Sequence, residues 1–278
     1  MVYDADYREQ SITELETATP LVAQGADTPG AFVVPTNVSK ITEIIISCFA
    51  NIAADAVMGF TSAIHVYGSG VVLSEGWFPG PTGTLDSVAV YSSSHTDMEV
   101  QRYLTNIPVK PGGQFSIDGY MLGEDIGALH MMVEVVYDGP VVGKIRDMDY
   151  RSINLTAANT LVTLTERGAA VVEGDIRPAY GLIGEIHLGW GAKITGAEAA
   201  VGFAVHLSGP GLQTAGNLKF IGRGISLHTD IGNNGSIKPL TKYMVTIPTK
   251  LGNAIRIQAQ MIEGDVGTAY SIVGFAYY

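Results

Sequence analysis

The chain has 278 residues, 46% of them hydrophobic and only 15% charged, with a formal net charge of −11. Its 16 basic residues are scattered, which excludes the clustered phosphate contacts of a sequence-independent nucleic-acid binder. The lone cysteine, Cys48, excludes an intrachain disulfide and reads as a buried apolar thiol; no run of 18 apolar residues offers a transmembrane helix.

The opening Met1–Arg8 lacks the basic and apolar regions of a signal peptide. Asp4-Ala-Asp-Tyr-Arg8 returns as Asp147-Met-Asp-Tyr-Arg151 at an offset of 143. Each motif reads as a charged arm docking on its own barrel through Arg8 or Arg151; the alternative is an arm, Met1–Glu14, that reaches a neighbouring subunit. Ser11–Val22 is Thr-rich and extended and matches Leu155–Thr165; Gly25 and Pro35 match Gly168 and Pro178. Ile41–Ile44 matches Ile183–Ile186, and Ile64–Gly68 matches Val205–Gly209, with the drift in offset expected of loops.

Between Gly70 and His95 the first copy carries about eight extra residues, including a turn-rich Trp77-Phe-Pro-Gly-Pro-Thr-Gly83, and the second has its own insertion at Ile231–Gly235. Tyr103–Tyr137 and Tyr243–Tyr277 then agree at 11 of 35 positions at an offset of 140, where chance gives roughly two. Such self-similarity is the signature of a repeated module. Ile255, Ile257, Ala259 and Met261 alternate with polar residues, as do Phe115, Ile117, Gly119 and Met121, which is the period of a half-buried strand. An acidic glycine turn and a second alternating run follow in both copies, so each closes with a hairpin.

In the second copy eight strands are expected, at 159–165, 170–174, 182–189, 199–207, 217–228, 242–248, 254–262 and 268–277, with a comparable eight in the first. Asn51–Met58 and Thr195–Val201 each have room for one short helical turn. The expected fold is all-β: two tandem eight-stranded antiparallel jelly-roll barrels related by internal duplication, 1–146 with its N-terminal arm and 147–278.

Few residues point to chemistry. His65 and His206 are equivalent single imidazoles on strands, without the closely spaced histidines and carboxylate of a cupin metal site. His95-Thr-Asp97 and His228-Thr-Asp230 read as turns closed by their own side chains; an ion or partner site at Asp97 and Asp230 needs further oxygen ligands. Glu124/Asp125 and Glu263/Asp265 at the hairpin tips are too few for a calcium cage and read as solvated turns. Gly139–Lys144 is one residue short of a phosphate loop and is followed by Ile145 where Ser or Thr is required. The three Asn-x-Ser/Thr sites, at Asn37, Asn154 and Asn234, read as coincidental. No catalytic residue, cofactor or metal ligand is assigned, and the chain is not expected to be an enzyme.

Two tandem eight-stranded modules over almost the whole chain, each ending as in Ala254–Met261 and Ser271–Tyr277, resemble the double jelly-roll major capsid proteins of tailless icosahedral double-stranded DNA viruses. The resemblance implies a virion capsid protein that forms homotrimers, tiles as pseudo-hexagonal capsomers in a lattice with other capsid proteins, and makes no direct contact with nucleic acid, often with an internal membrane beneath the shell. Two other readings are a surface or appendage β-module that polymerises, and a carbohydrate-binding β-sandwich with a platform at Trp77–Phe78 or Trp190.

Overall fold

The computed structural model describes residues 4–23, 30–52, 60–83, 95–97, 100–123, 127–168, 170–194, 198–214, 217–228, 235–262 and 266–278. The chain is all-β, and the described residues contain no helix. Its N-terminal half holds β1 (Asp4–Ile12), β2 (Thr19–Pro20), β3 (Val22–Ala23), β4 (Phe32–Val33), β5 (Lys40–Ile52), β6 (Phe60–Tyr67), β7 (Trp77–Gly83), β8 (His95–Asp97), β9 (Gln101–Pro108), β10 (Gln114–Gly123) and β11 (Gly127–Tyr137). The C-terminal half holds β12 (Asp147–Leu155), β13 (Val162–Thr163), β14 (Glu166–Arg167), β15 (Ala170–Val171), β16 (Asp175–Ile176), β17 (Leu182–Ile194), β18 (Glu198–Ser208), β19 (Leu218–His228), β20 (Gly235–Pro248), β21 (Ile255–Ile262) and β22 (Val266–Tyr277).

Each half builds two antiparallel sheets. In the N-terminal half a six-stranded sheet runs β3-β1-β11-β5, with β8 and β9 both on the far side of β5. Its partner sheet runs β2-β10-β6-β7, with β4 also on β10. The C-terminal half repeats both orders as β15-β14-β12-β22-β17-β20 and β13-β21-β18-β19, with β16 on β21. Apolar residues of both sheets meet in one core per half. Ile12, Ile44 and Val133 face Ile64, Phe115 and Ile117 in the first, and Leu155, Ile186 and Val273 face Phe203, Val205 and Ile257 in the second.

The alternation read from the sequence is the alternation of burial. In β21, Ile255, Ile257, Ala259 and Met261 are buried while Arg256, Gln258 and Gln260 are not. The duplication extends to backbone detail. Glu16 and Asn159 both take positive φ, at 53° and 56°, and donate their N–H to the carbonyls of Met121 and Met261 at 2.8 and 2.7 Å. Gly68 and Gly209 share a positive φ, as do Gly112 and Gly252.

Several expected elements differ. The strands expected at 159–165 and 170–174 are broken into the two-residue pieces β13 to β16, because this connection crosses from one sheet to the other, pairing with β12 on one side and β21 on the other. The strand expected at 242–248 begins at Gly235. Of the expected helical turns, Asn51–Ile52 belongs to β5 and Glu198–Val201 to β18, where cross-strand pairing overrides the local preference; residues 53–59 and 195–197 lie outside the described residues. The turn-rich Trp77–Gly83 is strand β7 and tolerates Pro79 and Pro81 because it is a sheet edge, paired among the described residues only with β6. His95–Asp97, expected as a turn, is strand β8 on the edge of β5.

Candidate assembly interface

Neither Asp-x-Asp-Tyr-Arg motif is a loose arm; each is the first part of a paired strand, β1 against β11 and β12 against β22. Within each half the arginine docks locally, as expected. Arg8 lies over the Phe32 ring at 4.2 Å and donates to the Gly30 carbonyl at 3.1 Å. Arg151 donates to the Glu173 carbonyl at 3.4 Å, again at an offset of 143, and to both oxygens of Asp149 at 2.8 Å.

The two copies differ in what covers them. The first six residues of β12 are all buried, whereas Asp4 and Ala5 of β1 are exposed and Asp6, Tyr7 and Glu9 half-buried. The cover on β12 is the outer face of the other half's five-stranded sheet. Ala63 of β6, Trp77 of β7, and Tyr120 and Leu122 of β10 pack on Tyr150 of β12 and on Tyr270 and Ile272 of β22. These are the alternate residues that point away from each half's own core. The contact is thus head to tail, a five-stranded outer face against a six-stranded outer face.

Three features fix its geometry. Asp147 is fully buried and plugs the β6–β7 turn; its carboxylate accepts the N–H groups of Ser74, Glu75 and Gly76 at 2.7, 2.9 and 2.8 Å. Burial pushes its carboxyl upward, opposed by those donors and by its Met148 N–H. Second, Trp77 is sandwiched: His65 is stacked on it at 4.1 Å, Tyr150 meets it edge-on at 5.7 Å, and the Arg167 guanidinium sits over it at 5.4 Å. Burial and the nearby Arg167 lower His65 to about 4. Arg167 also pairs with Glu75 at 2.7 Å and Asp149 at 3.1 Å, linking the halves. Third, Tyr103 donates to the Pro79 carbonyl at 2.6 Å and packs on His187 of the other half.

A groove of about 1010 Å³ follows the same junction along the connector between the halves, lined by Leu104, Val141 and Met244 and by the Glu43–Arg102 and Glu185–Lys242 ion pairs. Glu185 is buried, yet bonds from His187, Lys242 and Tyr278 outweigh that and lower it to about 2.

The residues singled out for chemistry are not brought together. His65 is packed on Trp77 and His206 lies on the other half's outer sheet face beside Lys219. Trp77, considered as a sugar platform, is only 8% exposed. Asp125, Asp230, Asp265, Glu124 and Glu263 lie outside the described residues, and Asp97 is described only as a position in β8. Among the described residues no cluster of three or more potential metal ligands forms. Cys48 is buried and its thiol pushed up to about 12. Sequence reading missed the plug at Asp147 and the Arg167 link; the repetition of Asp4 at Asp147 was the available signal.

No family model matches the chain, and no curated protein matches it. Among solved structures it is similar to PNGF-II, at 9% identity and TM-score 0.38, covering 98% of this chain and 66% of that one. It is also similar to the tandem CBM22-1-CBM22-2 domains of Paenibacillus barcinonensis Xyn10C, at 10% identity and TM-score 0.25, covering 99% and 93%. A third similarity is to a structure of infectious bursal disease virus Gx strain, at 10% identity and TM-score 0.24, covering 99% and 72%. The chain spans 66% of the first of these, and likenesses at these TM-scores assign neither a family nor a function.

Proposed function

We propose that the chain is a structural subunit of a viral capsid, built of two tandem jelly-roll barrels, 1–146 and 147–278, and assembling as homotrimers that tile a shell. The strand orders β1-β11-β5-β9 and β2-β10-β6-β7, repeated as β12-β22-β17-β20 and β13-β21-β18-β19, support the jelly-roll reading, since a doubled Greek key pairs strands of one eight-strand run in that way. The observation that carries the functional reading is the head-to-tail junction. Trp77, Tyr120 and Leu122 of one copy of the module bury Tyr150 and Ile272 of the other, so the two copies use different faces and each end of the chain retains the face its sister buries. A heterologous contact of this kind repeats from subunit to subunit and closes into a ring when the rotation allows. Three chains then supply six similar modules, a pseudo-hexagonal tile.

The charge balance agrees with a shell that does not grip nucleic acid directly. The role is non-enzymatic, and the partners are further copies, other capsid proteins and, beneath the shell, an internal membrane. Light scattering on the purified chain, followed by negative-stain imaging of the same peak, tests this. The expected mass is about 88 kDa, three times 29.4 kDa, in flat six-lobed particles. A chain that stays monomeric at high concentration removes the proposal.

A further inference from the structure

We infer that a second copy of this chain adds the segment ahead of its β1 to the open edge of β20, as the connector adds to β9 inside the chain. The inference rests on the assembly reading above and names its seam.

Inside the chain the connector does this already. Ile145 forms a parallel bridge with Thr105 of β9, Asn106 donates to the Ile145 carbonyl at 2.7 Å, and Gly143 donates to the Thr105 carbonyl at 3.1 Å. A side chain at Gly143 would collide with the Leu104 carbonyl, so the strap is fitted to that edge. Two residues beyond Ile145, Asp147 enters the β6–β7 turn. Strap and plug are one continuous element.

The duplication places the same parts at the chain's two ends. By the offset of 140, Thr105 and Asn106 correspond to Val245 and Thr246 of β20. Among the described residues β20 pairs only with β17, and Met244 on it is 67% exposed. By the offset of 143, Lys144–Asp147 corresponds to Met1–Asp4. Among the described residues the exposed Asp4 carboxylate accepts only the N–H of Ala5 beside it, at 2.9 Å. Open strand edges invite an added strand, and here the added strand has a worked precedent within the same chain.

The test uses the full chain. Tyr3→Cys with Thr246→Cys, the counterparts of Arg146 and Asn106, is oxidised and run without reductant. Covalent dimers and trimers are expected from the double variant and monomer from each single variant. Thr246→Pro, which removes the outward N–H, is expected to weaken self-association roughly ten- to a hundredfold without changing the circular dichroism. If wild type assembles while the cysteine pair stays unlinked and Thr246→Pro assembles as well as wild type, the seam is wrong and the shell reading survives. Cross-linking by Tyr3→Cys alone overturns the seam in favour of a two-fold contact. Wild type that never exceeds the monomer mass overturns both.

Discussion

Asp147 reaches across the junction of the two halves, its Oδ1 accepting the Gly76 N–H at 2.8 Å while Oδ2 takes those of Ser74 and Glu75. Among the described residues Asp4, the same residue of the same motif, makes no such contact. The pair separates what the motif does in a fold from what it does at a free face.

Asp147→Ala leaves three turn N–H groups in the junction without their acceptor, and each orphaned buried donor costs about 1–3 kcal/mol before relaxation. A loss of roughly 3 kcal/mol in urea denaturation is expected. Asp4→Ala, at an exposed position, is expected to fall within about 0.5 kcal/mol of wild type in the dilute monomer. Equal losses at both sites would mean that the junction does not account for the burial of Asp147.

Trp77 is the centre of the contact between halves. Trp77→Ala removes the surface on which His65, Tyr150 and Arg167 pack, at a cost of roughly 3–5 kcal/mol for an aromatic of this size. Each half has its own core cluster, with Met148 and Ala276 of the C-terminal half reaching into the N-terminal one, and calorimetry is expected to show one transition for wild type and two for Trp77→Ala. One unchanged transition would mean that the halves are coupled elsewhere.

The sequence made the modules legible through periodicity. Ile255, Ile257, Ala259 and Met261 announce a strand whatever surrounds them, and the identities between Tyr103–Tyr137 and Tyr243–Tyr277 announce a copy. The junction was not legible in that way. Trp77 sits among prolines and glycines, which locally signal a turn, and only its place at a sheet edge beside Tyr150 makes it a strand and a contact. Arg167 has no counterpart in the other copy, where Gln24 occupies the matching position, so repetition could not point to it. Motif similarity also hid a difference: Asp4 and Asp147 read alike, and tertiary packing alone decides which is buried.

His65 gives the junction a pH dependence. Its protonation is disfavoured by burial and by Arg167, partly offset by its bond to the Glu75 backbone and by Asp149, so its folded value is about 4 against 6.5 when unfolded. Between those values the unfolded chain binds more protons, and stability is full above about pH 6.5 and falls as pH drops toward 4. The shift corresponds to roughly 3 kcal/mol, reduced by partial exposure to roughly 1–2 kcal/mol. Thermal midpoints measured from pH 7 to pH 4 are expected to fall less steeply for His65→Gln than for wild type. Parallel curves would remove His65 as the cause.

Gly112 and Gly252 test the duplication as energy instead of shape. Both follow a strand in the same turn, with φ of 73° and 70°, and a Cβ at either would meet nothing within 4 Å. Their N–H groups donate to Val34 and Pro178 at 2.9 and 3.0 Å, and alanine keeps those bonds. The cost of Gly→Ala is therefore the left-handed backbone alone, about 1–2 kcal/mol. Gly112→Ala and Gly252→Ala are expected to lower stability equally, within about 0.5 kcal/mol, and the double variant to lose their sum, since distant sites add. Chemical denaturation of the three variants decides it. A markedly unequal pair would show that the two copies, alike in backbone, no longer carry equal shares of the stability.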